Sequence, residues 1–318
     1  RVEFQGVDFH YNGGTGGTVL EGINFVAEPG QTIAILGATG AGKSSLVSRL
    51  AHAYRHPASG DGSRVGIVAV DPTSPYTGGA ILGDRIRMRD LSGDPGVFIR
   101  SMASRGTLGG LAATTSSLVD ALDAAGFDPV LIETVGAGQA ELEVARMAHS
   151  TIVVEAPSLG DEIQAIKAGI LEAADIVVVN KGDLPGAEHS VRSLQSAIEL
   201  GLAAAGDDPA VMPRGMKPGA RGWHTPVLTT VATTGEGIEE LQAALRAHRR
   251  HLRTSGALDE RERARLKAEV VALLQAALVE EFLDQHADGR YQTLIEEAVS
   301  RKKSPRQVVT ELLADRAV

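Results

Sequence analysis

Cysteine is absent from the 318 residues, which excludes disulfides, thiol catalysis and cysteine-ligated metal centres. Aromatic residues make up only 3% of the chain, so the core must be built from Val, Ile, Leu and Ala. That palette suits a buried parallel sheet under Ala-rich helices better than an aromatic-rich β-sandwich. Positive charge is also in deficit: 31 Lys and Arg against 40 Asp and Glu leave a formal net charge of −9. General nucleic-acid binding needs a surplus of cations on one face, so this balance argues against it. No apolar run reaches the length of a membrane span, and Arg1-Val-Glu-Phe4 shows no signal peptide. The expectation is a soluble, cytoplasmic protein. What is present, 43% hydrophobic and 22% charged residues, is the composition of an ordinary globular chain.

Apolar residues alternate in strand fashion at Val2, Phe4, Val7 and Phe9, and a second short strand is expected over 19–26. Thr32 to Leu36 is a β-branched run that reads as a buried strand. Helix 43–54, strand 65–70, a short strand at 98–100, helix 114–125 and strand 129–133 follow. Then come helix 139–148, strand 151–155, helix 161–174, strand 176–179, a Pro/Gly/Arg loop at 213–222, strand 226–231 and helix 238–253. This βα alternation predicts an α/β fold with a mostly parallel, doubly wound sheet. Three regions are expected: a β extension over 1–31, a main domain over 32–255 and a helical region over 256–318. In the last, Leu266, Val270, Leu273, Leu274 and Leu278 recur at helical spacing and need a covering surface. His248-Arg-Arg-His251 reads as a solvated helix end, and Arg301-Lys-Lys303 as a surface patch.

Gly37-Ala38-Thr39-Gly40-Ala41-Gly42-Lys43-Ser44 fits the phosphate-binding pattern G-x-x-x-x-G-K-[ST] between a strand and a helix. Glycines let successive N–H groups turn inward on phosphates, and the following helix start, with Ser45, adds its positive dipole end. Lys43 supplies charge for the β and γ phosphates, and the Ser44 hydroxyl is a ligand for Mg²⁺. Asp71 and Glu133 each close an apolar strand, where a carboxylate can hold Mg²⁺ or its waters. Gly136 carries a bare N–H that can sense a γ phosphate. Asp84, in a glycine-rich loop with Arg85 and Arg87, can bind metal or position water while the guanidiniums offset phosphate charge. Asn180-Lys181-Gly182-Asp183 follows a buried strand in the N-K-x-D pattern. Its Asp183 carboxylate suits the N1–H and N2–H donors of guanine, and the Lys181 stem can lie over the base. The ligand expected is GTP or GDP.

Val70-Asp-Pro-Thr-Ser-Pro75, Thr77 to Met88, Gly106-Thr-Leu-Gly-Gly110, Glu133-Thr-Val-Gly136, Gly160 to Ile170 and Asn180-Lys-Gly-Asp183 together resemble the MeaB/ArgK GTPases over about residues 37–283. That resemblance implies a P-loop GTPase acting as a G-protein chaperone of an adenosylcobalamin-dependent mutase such as methylmalonyl-CoA mutase; low intrinsic turnover is expected because no water-positioning Gln is evident in the switch segment. It places Asp71, Asp84 and Glu133 in the Mg²⁺ and switch regions. It makes Asp161, Gln164 and Lys167 an extra switch relaying nucleotide state, and the C-terminal helices the seat of a homodimer. Residues 1–46 instead resemble the opening of an ABC-transporter ATPase, with Tyr11 where an aromatic would stack on adenine. The L-S-G-G-Q helix start and the Asp-Glu strand end of that machinery are missing. An ABC-type ATPase subunit, or a nucleotide-dependent scaffold with little hydrolysis, are the alternatives.

Overall fold

The computed structural model describes residues 2–9, 20–27, 30–72, 88, 91, 93–104, 110–134, 139–157, 168–205, 222–285 and 289–314. Of these, 2–9, 20–27, 71–72, 103–104, 110–113, 139–140, 168–169, 201–205 and 284–285 are described by backbone alone. β1 (Val2–Phe9) and β2 (Leu20–Ala27) pair antiparallel as a sheet of their own. Seven further strands are β3 (Thr32–Gly37), β4 (Val65–Pro72), β5 (Val97–Ser104), β6 (Val130–Thr134), β7 (Ser150–Glu155), β8 (Ile176–Asn180) and β9 (Val227–Thr230). They lie in the order β5-β4-β6-β3-β7-β8-β9, and every pairing is parallel. The helices between them are α1 (Lys43–Arg55), α2 (Gly110–Ala124), α3 (Gln139–Met147), α4 (Ala168–Glu172), α5 (Ala187–Ala205) and α6 (Ile238–Ser255).

Central β3 explains the architecture. All six of its residues are buried, so both faces of this strand need a covering layer. Alternation by two sorts its side chains. Ala34 and Leu36 join Val68, Ile132, Val153 and Val177 in a core closed by Val119 and Leu122 of α2, Val144 of α3 and Leu194 of α5. Ile33 and Ile35 point the other way, to Ile67, Leu131, Ile152 and Val178, under Leu46 and Leu50 of α1 and Leu241 and Leu245 of α6. Each fully buried Ile or Leu contributes about 1.5–3 kcal/mol relative to exposure. The doubly wound α/β expectation holds. Helix α5 adds an element beyond those expected: Ala187, Val191, Leu194 and Ile198 follow helical spacing toward the sheet.

The amino-terminal edge of the sheet carries a polar network. Asp175 accepts from the Thr151 amide at 2.9 Å and from Arg261 Nη2 at 2.7 Å and Nη1 at 2.9 Å. His248 is fully buried, with Nδ1 2.8 Å from Ser150 Oγ and Nε2 3.3 Å from Asp175 Oδ1, and Trp223 packs on its ring. The solvated reading of His248 is therefore corrected: the helix end turns this imidazole inward, onto a carboxylate. Nearby, His149 Nδ1 accepts from the Thr32 amide, so its proton sits on Nε2 and is donated to Glu262 at 2.6 Å.

Helix α7 (Ala257–Gln285) contributes Arg261, Glu262 and Arg265 to this edge. The chain divides into two compact units, Arg1–Lys267 and Ala268–Val318. The second contains the rest of α7 with α8 (Arg290–Val299) and α9 (Pro305–Ala314), around Leu294, Val308 and Leu312. Lys303 of the expected surface patch bonds Glu297 at 2.8 Å and Glu311. Leu266, Val270, Leu273, Leu274 and Leu278 are all exposed. Among the described residues, no helix is long and apolar enough to cross a membrane.

Candidate nucleotide site

The opposite, carboxyl edge of the sheet gathers the residues that the motifs singled out. β3 ends at Gly37, whose φ of 137° no side chain favours, and a Cβ there would lie 2.0 Å from the Val154 carbonyl oxygen. The chain then loops over to Gly42, the N-cap of α1, with φ 88° and no side chain capping the helix. The first amides of α1 are thus left to a ligand, the arrangement that anions occupy at helix starts. Lys43 is buried and its ammonium folds back over the loop, donating to Gly37 O at 2.6 Å and Ala38 O at 2.9 Å. Thr39, Gly40 and Ser45 are exposed at the rim.

Ser44 Oγ donates to Glu133 Oε1 at 2.6 Å. The register makes this contact: Glu133 lies opposite Ile35 of the neighbouring strand, two residues before the loop begins. Asp71 is the penultimate residue of β4, one strand further out, opposite Ala103 of β5. A hydroxyl and a buried carboxylate side by side form a hard-oxygen pair of the kind that suits Mg²⁺.

Asn180 closes the site from the other flank. It is 2% exposed, and its carboxamide makes three hydrogen bonds. Nδ2 donates to Ala41 O at 2.9 Å, while Oδ1 accepts from Thr230 Oγ1 and the Ala232 amide, each at 3.1 Å. A Cβ on Gly42 would meet Asn180 Nδ2 at 2.3 Å. The first residue of N-K-x-D therefore ties the phosphate loop to the turn after β9. Lys181, at φ 58°, and Asp183 are exposed beyond it, and the Gly182 amide donates to Thr230 O at 2.9 Å.

Three residues that sequence reasoning missed also belong here. Glu141, buried in the first turn of α3, accepts from the Gly37 amide at 3.4 Å. Glu155 ends β7, and its carboxyl is pushed up to about 7 by burial, with Glu141 adding and the Ala156 amide and Lys43 opposing. Arg49 of α1 bonds the turn after β9. An acid early in a helix and a strand-end acid are faint signals at best, and Arg49 has none. Asp84, Arg85, Arg87, Gly136, Asp161, Gln164, Lys167 and Tyr11 lie outside the described residues, as does the side chain of Asp71.

Residues 14–287 match the family of methylmalonyl-CoA mutase-associated GTPases, MeaB. The chain belongs to the MeaB family. The match begins at residue 14, well before residue 37, so it takes in most of the opening that resembles an ABC-transporter ATPase. A Pyrococcus abyssi protein named as a GTPase is 40% identical over 89% of this chain and 82% of its own length. The Escherichia coli GTPase ArgK is 36% identical over 72% of this chain and 64% of its own. The mouse mitochondrial methylmalonic aciduria type A homolog is 33% identical over 79% and 56%. Among solved structures, a LAO/AO transport system kinase superposes with a TM-score of 0.57 at 25% identity, covering 92% of this chain and 83% of that one. This MeaB-family chain is a P-loop GTPase, and its ligand is a guanine nucleotide.

Proposed function

We propose that this GTPase works with Mg²⁺ as a nucleotide-dependent chaperone of an adenosylcobalamin-dependent acyl-CoA mutase of the methylmalonyl-CoA mutase kind. The carrying observation is the single cluster at the sheet edge, where Asn180 locks the N-K-x-D loop to the phosphate loop that holds Lys43 and Ser44. Membership of a family described by its mutase association supports the partner.

In this reading the amides from Gly37 to Ser45 cradle the phosphates, and Lys43 swings from its two loop carbonyls onto the β and γ oxygens. Ser44 and Glu133, with Asp71 and Asp84, hold the metal, which when bound neutralises charge on those oxygens. Glu133 or Asp84 orients the attacking water, and Gly136 senses the γ phosphate. Asp183 accepts from guanine N1–H and N2–H, and Lys181 covers the base plane. Asp161, Gln164 and Lys167 relay the nucleotide state to the mutase. Basal turnover is slow because no water-positioning Gln is evident in the switch segment. A homodimer covers the exposed Leu266–Leu278 stripe, and the protein acts in the cytoplasm.

Two measurements test this. In competition binding, GTP displaces a fluorescent GDP analogue far better than ATP does, and Asp183→Ala narrows the gap. Added to the wild type, an adenosylcobalamin mutase co-purifies and raises GTP hydrolysis, whereas Lys43→Ala stays silent. Tighter ATP binding removes the guanine reading; a mutase that neither binds nor stimulates removes the chaperone reading.

A further inference from the structure

Arg49 sits on α1, six residues beyond Lys43, and reaches across to the turn that joins β9 to α6. Its Nε donates to Ala232 O at 3.1 Å and its Nη2 to Thr233 O at 2.6 Å. Its stem passes the backbone of Gly235, where a Cβ would lie 3.5 Å from Arg49 Cδ and where φ is +94°. Adjacent carbonyls taken by one planar fork is a geometry that arginine provides and lysine does not. The same turn is gripped from its other side, because the Ala232 amide donates to Asn180 Oδ1. Beneath it, Thr230 O accepts from the Gly182 amide, next to Asp183. The turn is therefore suspended between α1 and the N-K-x-D loop, and it stands beside the carboxylate assigned to guanine.

We infer that Arg49 is a positioning residue for guanine recognition, fixing the 231–235 turn as the second wall of the base pocket. This rests on the reading of Asp183 as the base-reading carboxylate. The guanidinium does not touch nucleotide. It sets the distance between two backbone segments that must accept a flat purine between them, and so couples base affinity to the helix that carries the phosphate lysine. A strut of this kind acts on ligand capture and leaves phosphoryl chemistry alone.

The experiment compares full-length Arg49→Ala, Arg49→Lys and Asp183→Ala. It measures KM and kcat for GTP and the inhibition constant of inorganic tripolyphosphate, which reports the phosphate loop without a base. Arg49→Ala raises KM about tenfold, as loss of charge-assisted hydrogen bonds would. Its kcat stays within about twofold of wild type and tripolyphosphate inhibition does not move. Arg49→Lys falls between, retaining charge but one bond fewer, and it carries the test should the alanine variant fold poorly. A parallel loss of tripolyphosphate inhibition would mean that Arg49 merely braces α1, and the inference fails. Unchanged KM in both Arg49 variants, with Asp183→Ala raised, overturns the role of Arg49 alone. Unchanged KM in Asp183→Ala removes the guanine reading itself, and the inference with it.

Discussion

Replacing Asn180 by alanine deletes three hydrogen bonds from a side chain that is 2% exposed. Each contributes about 1 kcal/mol net, so the folded state should lose about 3 kcal/mol. In a unit of this size each kcal/mol moves the midpoint by about 2–4 °C, which places the fall in Tm near 6–12 °C. Asn180→Asp separates construction from ligand binding. It keeps the acceptor for Thr230 and Ala232 but sets a carboxylate oxygen against Ala41 O, where an amide had donated at 2.9 Å. A negative charge then stands beside the phosphate loop, so GDP affinity should fall about 100-fold, well beyond the stability loss. Thermal unfolding and titration of a fluorescent GDP analogue read both. If Asn180→Ala shifts Tm by less than about 2 °C and leaves GDP binding within about twofold, the bridge carries no weight and the reasoning is wrong.

Gly42→Ala should cost nucleotide affinity at least about tenfold, since its Cβ would meet the anchored Asn180 Nδ2 at 2.3 Å and φ is 88°. Equilibrium GDP binding checks this, and near-wild-type affinity contradicts it. Arg261→Met leaves Asp175 buried without its bidentate partner and should destabilise by about 3–5 kcal/mol in chemical denaturation, with Asp175→Asn in the same chain restoring part of the loss. Burial would raise the Asp175 carboxyl, but His248 and Arg261 outweigh it and hold it at about 2, against 3.8 unfolded. Its contribution, about 2 kcal/mol, is thus present above pH 3.8 and lost as pH falls toward 2, so wild type should lose more stability over that range than the double variant. Glu155 is shifted the opposite way, to about 7 from 4.5, mainly by burial. Stability tied to its protonated form is complete below 4.5 and fades as pH rises through 7. Glu155→Gln should shrink the Tm difference between pH 5 and pH 8, and an unchanged difference excludes the shift.

Much of this was written in local pattern. Thr32 to Ser44 announces a buried strand, a glycine turn and a helix start in consecutive residues, and the acid at 133 closes an apolar run in plain view. What stayed hidden depends on distant pairing. Arg49 meets carbonyls 183 and 184 positions away, and Glu141 meets an amide 104 away, so neither has a neighbour in sequence that betrays it. His248 looked solvated because arginines flank it, yet one helix face turns inward every three or four residues and this position falls on it. The helical pattern from 187 to 205 is faint in sequence because Leu200, Gln195 and Glu199 dilute it with outward-facing residues.

Two residues three positions apart divide the work of the N-K-x-D loop. Asn180 is a mason's tie between two backbone segments, while Asp183 is exposed and its side chain bonds none of the described residues. Under the base-reading role proposed for Asp183, a variant with altered nucleobase preference can be sought there with little risk to folding. That offers a route to a chain answering to an unnatural triphosphate inside a cell full of GTP. The same search begun at Asn180 would return destabilised proteins.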